Sequence, residues 1–174
     1  MIITGGIYKG QKMAAPNESI TRPTLSKVRM GVFNILYSML GEFNDKTFID
    51  VFGGSGIMGL EALSRGFKEV LVFEKNSKSA QIIKQNYSKL GLKPNLFIGD
   101  SLSLIGKIDK KYDIAYVDPP YESQIYNEIF NKLKDKAEII IAEHSEKLDV
   151  ENFVNVKTKN YGGKSVSFYI CDNK

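Results

Sequence analysis

The sequence predicts an α/β protein built around a mostly parallel β-sheet. Short apolar segments rich in Ile, Val and Phe alternate along the chain with segments of helical periodicity. The predicted strands are nearly continuous in apolar residues, which is typical of a sheet covered by helices on both faces. Polar clusters at residues 50–56, at Glu74 and at residues 118–121 directly follow predicted strands. Parallel sheets bind ligands at that edge, so we expect the functional site there.

Composition limits the class of protein. The chain has 174 residues, of which 43% are hydrophobic and 25% charged, as in a soluble globular domain. We expect one domain over residues 1–174, with an N-terminal arm at 1–23 and a core at 24–174. No apolar run approaches the ~20 residues of a membrane span, and the N-terminus lacks a signal pattern. The single cysteine, Cys171, predicts no internal disulfide and no cysteine metal site, so we expect a reducing cytoplasm and no metal.

The net charge of +4 is located in one segment. Residues 1–30 contain one acid, Glu18, and five bases, so they account for the whole excess. These bases are Lys9, Lys12, Arg22, Lys27 and Arg29. A basic segment on a neutral body suits a polyanion such as RNA held at one place, although a solvated lysine-rich surface has the same composition.

The elements follow in order. Residues 1–23 are rich in Gly and Pro and predict a small β-hairpin or an extended arm. Thr24 is expected to cap a helix over residues 25–40, in which apolar residues recur every three or four positions. The predicted strands are 47–52, 69–74, 95–98, 112–117 and 138–142, and the predicted helices are 57–64, 77–90 (capped by Asn76) and 123–133. Residues 153–159 and 165–171 predict a final hairpin.

A glycine loop follows the first strand. Gly54, Gly56 and Gly59 form a G-x-G-x-x-G pattern, and Glu74 lies twenty residues beyond Gly54. The glycines allow the backbone to approach an adenosine-type ligand, and Glu74 can accept hydrogen bonds from ribose hydroxyls. The pattern alone leaves three interpretations open: a nicotinamide oxidoreductase, a site for another adenosyl cofactor, and a tight turn without a ligand.

Three features disfavour a nicotinamide cofactor. Asp50 stands just ahead of the loop, where its carboxylate would repel a pyrophosphate. The chain has no room for a separate substrate domain, and Asp118 has no natural role in hydride transfer. A carboxylate at this position suits a ligand that carries positive charge and no phosphate, so the sequence favours S-adenosylmethionine.

The turn Asp118-Pro119-Pro120-Tyr121 follows the fourth strand. Its two prolines fix the backbone, so the Pro119 carbonyl and the Asp118 carboxylate form a stiff pair of acceptors. Two such acceptors suit an exocyclic NH₂ group, and Tyr121 offers a flat face for stacking of a base. The pair would align the amine for displacement at a methyl group, with Asp118, Pro119 and Tyr121 as the catalytic residues. A rigid loop with a helix-capping Asp is the structural alternative.

These motifs together resemble the RsmD-type 16S ribosomal RNA guanine-N2 methyltransferases. The resemblance covers nearly the whole chain and includes residues 3–6, 22–24, 50–56 and 59–66, besides the Asp-Pro-Pro-Tyr turn. The turn is shared with adenine-N6 enzymes, whereas residues 22–24 combined with residues 59–66 are more discriminating. Two positions depart from the family pattern: Gly53 replaces an alanine, and Met30 replaces an acid.

The resemblance implies a Rossmann-like class I methyltransferase fold, with seven strands and an antiparallel last strand. It places Asp50, Gly54 and Gly56 around the methionine part of S-adenosylmethionine, Glu74 at the ribose, and Asp100 with Ser101 at the adenine. The other expected cofactor residues are Arg22, Thr24, Phe52, Ser55, Lys75 and Asp118. The expected RNA contacts are the five bases of residues 1–30, together with Pro120 and Tyr121.

The resemblance further implies small-subunit ribosomal RNA as partner, free or in an assembling particle, and a monomeric enzyme without a membrane. An adenine-N6 methyltransferase shares the turn and the cofactor and stays an alternative. A nicotinamide oxidoreductase is a more distant one, and a non-catalytic RNA-binding module is a third. His144, the only histidine, is expected to pack or to lie on the surface.

Overall fold

The computed structural model describes residues 1–16, 25–120 and 125–172. Within these residues, helices and strands alternate as the periodicity predicts. The helices are α1 (Ser26–Leu40), α2 (Ile57–Ser64), α3 (Ser77–Lys89), α4 (Ser101–Ile105) and α5 (Tyr126–Leu133). The strands are β1 (Thr47–Asp50), β2 (Glu69–Glu74), β3 (Asn95–Ile98), β4 (Tyr112–Val117), β5 (Ala137–His144), β6 (Phe153–Asn160) and β7 (Ser165–Cys171). No described helix has the length and apolar character to cross a membrane.

The strands form one sheet in the order β3-β2-β1-β4-β5-β7-β6. The first five strands of the chain pair in parallel, and β7 runs antiparallel to both β5 and β6. The mostly parallel, seven-stranded sheet with an antiparallel last strand is therefore confirmed. The order of the strands reverses between β1 and β4, and such a reversal opens a crevice above the carboxyl ends of the strands.

Both faces of the sheet are covered, which explains the continuous apolar strands. Alternate residues face opposite sides: Phe48 packs with α1, α2 and α3, whereas Ile49 packs with α4 and α5. Asn76 caps α3 as predicted, since its side-chain oxygen accepts hydrogen bonds from the amides of Lys78 and Ser79 at 2.9 and 3.1 Å.

Two local expectations differ from the structure. The N-cap position of α1 is Leu25, which makes no side-chain capping bond, and Thr24 lies outside the described residues. The sequence also gave no sign of α4, because five residues are too few to show a helical period.

The N-terminal arm folds back on itself and packs against the core. Its antiparallel bridge joins Ile2 to Lys12, and Ile3 and Met13 are buried. The buried amide of Asn86 on α3 both donates to the Ala14 carbonyl at 3.0 Å and accepts from the Ala14 amide at 2.8 Å. This exchange fixes the arm beside the glycine loop, and Pro16, at the end of the arm's described part, lines the crevice.

Two of the segments that carried the family resemblance, residues 3–6 and 59–66, meet Arg29 of α1 at one buried ion cluster around Glu61 of α2. Thr4 donates to this carboxylate from its amide at 2.7 Å and from its hydroxyl at 3.0 Å. Arg29 and Arg65 each donate through Nε, at 3.1 and 3.3 Å. Glu61 is fully buried, so the four donors are needed to compensate its desolvation. These motif residues therefore attach the arm and α1 to the core.

Candidate active site

A cavity of about 1230 Å³ lies at the carboxyl ends of the parallel strands, at the reversal of strand order. Most of the residues that the sequence assigned to the cofactor and to catalysis line this crevice. They are Asp50, Phe52, Gly54, Ser55, Glu74, Lys75, Asp100, Ser101, Asp118 and Pro119. Pro120, which was predicted to contact RNA, also lines the crevice. Arg22, Thr24 and Tyr121 lie outside the described residues, so their assignments stay predictions.

The glycine loop is shaped by left-handed backbone and braced by Glu74. Gly54 and Gly56 have φ values of 54° and 77°, which favour glycine. One carboxylate oxygen of Glu74 accepts from the Gly54 amide at 2.7 Å, and the other accepts from the Asn76 amide at 2.6 Å. Each oxygen keeps further acceptor capacity toward the crevice. Gly56 forms the turn into α2 and does not itself line the crevice.

Asp50, the last residue of β1, is a buried carboxylate with unused acceptor capacity. Its side chain is almost fully buried, and its Oδ2 has no hydrogen-bond partner among the described residues. Burial, followed by repulsion from Glu74 and Asp118, raises the pKa of Asp50 to about 7. A buried, unpaired acceptor of this kind suits a cationic ligand or an N–H donor.

Asp100 and Ser101 form the wall of the crevice after β3. The Ser101 hydroxyl donates to the Val51 carbonyl at 2.7 Å, which ties the start of α4 to the end of β1. Asp100 caps α4 by accepting from the Ser103 amide at 3.2 Å. Its other oxygen lies 3.7 Å from the Lys75 ammonium on the open rim, where solvent weakens the ion pair.

Asp118 and Pro119 follow β4 directly and share the crevice with Asp50 and Glu74. Burial, and then repulsion from Glu143, raises the pKa of Asp118 to about 7, although the Lys164 ammonium acts in the opposite direction. The Asp118 side chain keeps about a fifth of its surface exposed (22%), so it remains accessible to a substrate.

Three residues that the sequence assignment missed surround Asp118. Glu143 of β5 is 2% exposed and accepts hydrogen bonds from the Tyr116 hydroxyl at 2.7 Å and from the Lys164 ammonium. The same ammonium lies 3.7 Å from Oδ1 of Asp118. Lys164 therefore stands between two carboxylates. A site role for Glu143 could have been predicted from the sequence, since this residue lies at the carboxyl end of a strand. Lys164 follows an ordinary glycine turn, which gives no such indication.

Two further polar side chains of the crevice, Tyr126 and His144, make structural contacts. The Tyr126 hydroxyl donates to the Glu143 carbonyl at 2.6 Å. His144 contacts the Glu146 carbonyl through Nδ1 at 2.5 Å and the Ser167 hydroxyl through Nε2 at 2.8 Å, and burial lowers its pKa. The expectation that His144 packs is therefore confirmed.

The described lining of the crevice is strongly acidic. It contains seven carboxylates and three lysines. The acids are Asp50, Glu74, Asp100, Asp118, Glu143, Glu146 and Asp149, and the bases are Lys75, Lys147 and Lys164. Within the described parts of the chain, no group of three or more His, Cys, Asp or Glu side chains is arranged to hold a metal ion. The surplus of carboxylates suits a ligand that carries positive charge.

The predicted RNA contacts fall into two groups. Lys9, Lys12 and Lys27 are exposed and free to approach a phosphate. Arg29 is 1% exposed, pairs with Glu61 and donates through a guanidinium nitrogen to the Ile2 carbonyl at 2.6 Å. The prediction for Arg29 was therefore wrong, because its side chain is buried and paired in the core and is not exposed to an RNA phosphate.

Known proteins are similar to this chain in sequence and in fold. The family described as conserved hypothetical protein 95 matches residues 1–170. Ribosomal RNA small subunit methyltransferase D of Escherichia coli K12 is 32% identical over 134 residues, which cover 76% of this chain and 66% of that protein. Its namesake from Buchnera aphidicola of Acyrthosiphon pisum is 30% identical over 181 residues, covering 97% and 92%. A solved Escherichia coli structure described as a methyltransferase, yhhF, superposes with a TM-score of 0.85 at 26% identity, covering 100% of this chain and 99% of that one.

The match over nearly the whole chain agrees with the geometry of the crevice. Its glycine loop, its strand-end carboxylates and its Asp-Pro-Pro turn stand where the sequence motifs predicted them. The chain therefore belongs to the RsmD family of class I methyltransferases.

Proposed function

We propose that this protein transfers a methyl group from S-adenosylmethionine to the exocyclic N2 amine of a guanine in small-subunit ribosomal RNA. One observation carries the proposal: Asp118 and Pro119 line the same crevice as Asp50 and Glu74. The names of the relatives, which state small-subunit ribosomal RNA as their substrate, support the choice of RNA.

The residues of the crevice fit S-adenosylmethionine. The cofactor would supply a methyl group on a positively charged sulfur. Asp50 offers a buried acceptor without a partner among the described residues, which suits a positively charged ligand. Glu74 retains acceptor capacity for ribose hydroxyls, and the loop at Gly54 allows close approach of the backbone.

Asp118 and Pro119 would act on the guanine amine. The lone pair of this amine is delocalised into the ring, which makes the nitrogen a weak nucleophile. Hydrogen bonds from its two N–H groups to the Asp118 carboxylate and the Pro119 carbonyl would favour a pyramidal nitrogen and direct its lone pair at the methyl carbon. An ionised Asp118 would also stabilise the positive charge that develops on nitrogen.

The electrons and the proton balance without another reactant. The nitrogen lone pair forms the new N–C bond, and the electrons of the broken C–S bond remain on sulfur. The methylated nitrogen then releases one proton to Asp118 or to water. The nitrogen is very acidic at that stage, so the residues need only align the amine and accept this proton.

The base must leave its helix to reach this crevice, because a paired and stacked amine is not accessible. An adenine-N6 amine would meet the same two acceptors. The pair at Asp118 and Pro119 therefore keeps adenine methylation as the second candidate, and product analysis separates the two.

The test is methylation of small ribosomal subunits that lack their native modifications. The protein is incubated with labelled S-adenosylmethionine, and the RNA is digested and analysed by mass spectrometry. We expect N2-methylguanosine at one site. N6-methyladenosine in this RNA, or label that enters adenine only when DNA replaces the subunits, would favour the second candidate. Saturable NAD binding without binding of S-adenosylmethionine would reject both.

A further inference from the structure

We propose that a groove between α1 and β6 binds the phosphate backbone of the substrate RNA beside the target nucleotide. The identity of the polyanion rests on the proposed function, whereas the groove itself rests on separate observations. Its volume is about 440 Å³. It is lined by Gly31, Asn34, Ile35, Ser38, Met39, Val156, Lys157 and Lys159.

The β6 wall supplies two cations on one face of the strand. Lys157 and Lys159 are two residues apart, so both side chains leave the same side of the sheet. They pair in register with Phe168 and Val166, which belong to the apolar layer under α1. Both lysines therefore face α1, and their backbone positions are separated by about 7 Å along the strand.

The α1 wall supplies exposed polar groups. Asn34 and Ser38 are four residues apart and lie on one face of the helix. Lys27 lies on the same face, seven residues before Asn34, and is exposed near the start of the helix. Lys27 was among the RNA contacts predicted from the charge of residues 1–30. The groove therefore extends that predicted RNA-binding surface to β6.

The groove is complementary to an anion. None of its described lining residues is acidic. Neither Lys157 nor Lys159 forms an ion pair with a described residue, and both are exposed. Cations without acidic neighbours, joined by an amide and a hydroxyl, match the contacts that proteins make to phosphate and sugar.

A chain of contacts through the β6–β7 turn connects the groove to the active site. Tyr161 follows β6 and packs against Gly31 so closely that a Cβ there would lie 1.7 Å from the tyrosine hydroxyl. The ammonium of Lys159 lies 5.4 Å from the centre of the Tyr161 ring. The Tyr161 amide donates to the Lys164 carbonyl at 2.7 Å, and the Lys164 side chain enters the crevice beside Asp118. An RNA strand in the groove would thus lead to the acceptor pair.

An alternative explanation exists for lysines at this position. The strand β6 forms one edge of the sheet, and edge lysines discourage pairing with another chain. That explanation predicts self-association of lysine variants without a specific loss of RNA affinity, so the two explanations are distinguishable.

The experiment compares the double variant Lys157→Glu, Lys159→Glu with the control Lys132→Glu, Lys134→Glu. The control makes the same charge change at exposed residues at the end of α5, on the opposite face of the sheet. Affinity for unmodified small-subunit RNA is measured at several salt concentrations, with thermal unfolding and gel filtration as checks of folding and self-association.

We expect the groove variant to bind RNA at least tenfold more weakly than the control variant and to lose about two units from the salt slope. The variant Lys157→Arg, Lys159→Arg should retain binding, and the affinity for S-adenosylmethionine should not change. Equal losses in the groove and control variants, or self-association alone, would overturn the proposal. If the wild type binds RNA through these lysines but forms no N2-methylguanosine, the proposed function fails while the groove stands.

Discussion

The crevice and the α1–β6 groove carry charges of opposite sign on neighbouring parts of one molecule. Carboxylates dominate the crevice, whereas the only charged side chains in the described lining of the groove are lysines. The crevice suits a small cation and the groove suits a polyanion. The two ligands of the proposed reaction could therefore bind without competing for one surface, and we expect them to meet at Asp118 and Lys164.

The two regions also differ in solvation. Asp50 and Glu143 are buried, so their interactions are poorly screened by salt, and the raised pKa of Asp50 makes its charge depend on pH near neutrality. Lys157 and Lys159 are exposed, so their interactions weaken as salt rises. Acidity should therefore perturb the crevice, and ionic strength should perturb the groove.

The largest effect is expected at Asp118. Asp118→Asn keeps the size of the side chain but removes the negative charge that stabilises the reacting amine. We expect kcat to fall about 10²–10³-fold, with little change in S-adenosylmethionine affinity. The control is Asp149→Asn, which removes one exposed carboxylate from the rim of the same crevice. Full activity of Asp118→Asn would refute the role of this carboxylate.

The next effect concerns Asp50 and the cofactor. Its pKa is raised from 3.8 to about 7, so the carboxylate ionises as pH passes through 7. Affinity for the cationic cofactor should therefore increase from pH 6 to pH 8. Asp50→Asn should flatten this dependence and weaken binding about tenfold at pH 8, or about 1.4 kcal/mol. Calorimetric titration across this range gives the result, and an unchanged pH dependence would contradict it.

The same shift has a consequence for stability without ligand. Between pH 3.8 and about 7 the folded protein holds the Asp50 proton more tightly than the unfolded chain. The contribution of Asp50 to the free energy of unfolding must therefore decrease as pH rises through this window. Denaturant unfolding of wild type and Asp50→Asn at pH 5 and pH 7.5 measures it. A variant that gains no stability relative to wild type at the higher pH would contradict the assignment.

A smaller effect is expected at Lys164. The groups that face Asp118 are Glu143, Asp50, Tyr116, Tyr126 and Lys164, of which only Lys164 lowers its pKa. Lys164→Met should therefore shift the acid limb of the kcat profile to higher pH and reduce activity several-fold at pH 7. Lys164→Arg should retain the wild-type profile, and Lys147→Met on the rim serves as control. An unshifted acid limb in Lys164→Met would show that this ammonium does not set the charge of Asp118.

The smallest effect is expected where the two regions join. Gly31→Ala would displace Tyr161 from α1, since the added carbon has no space. RNA binding should weaken less than in the groove variant, with kcat at saturating RNA unchanged. Gly163→Ala, in the same turn but with open space around it, should have no effect. Equal RNA affinities of the two alanine variants would show that the position of Tyr161 does not affect RNA binding in the groove.

The crevice was largely predictable because its residues follow strands directly. Asp50, Glu74 and Asp118 stand at the carboxyl ends of β1, β2 and β4, and parallel strands bring those ends to one edge. Lys164 and the groove depend on the insertion of β7 between β5 and β6. No local pattern specifies that insertion, so the sequence could not place them.

Arg29 was predicted to contact RNA, but its position around α1 explains why it is buried. Counting charge treated it like Lys27, but the two residues differ by about 200° around the helix. Around the helix, Arg29 lies between Leu36 and Phe33, both of which are buried. The helical periodicity that predicted α1 therefore also places Arg29 on the buried face. A count of charges ignores this periodicity, so it grouped Arg29 with the exposed lysines.

The most direct measurement is a structure of the protein with S-adenosylmethionine bound. The account predicts the cofactor in the crevice, with its ribose at Glu74, its positive charge near Asp50, and its methyl group directed at the space beside Asp118 and the Pro119 carbonyl. A cofactor bound with its methyl group directed away from this acceptor pair, or bound outside the crevice, would contradict the account.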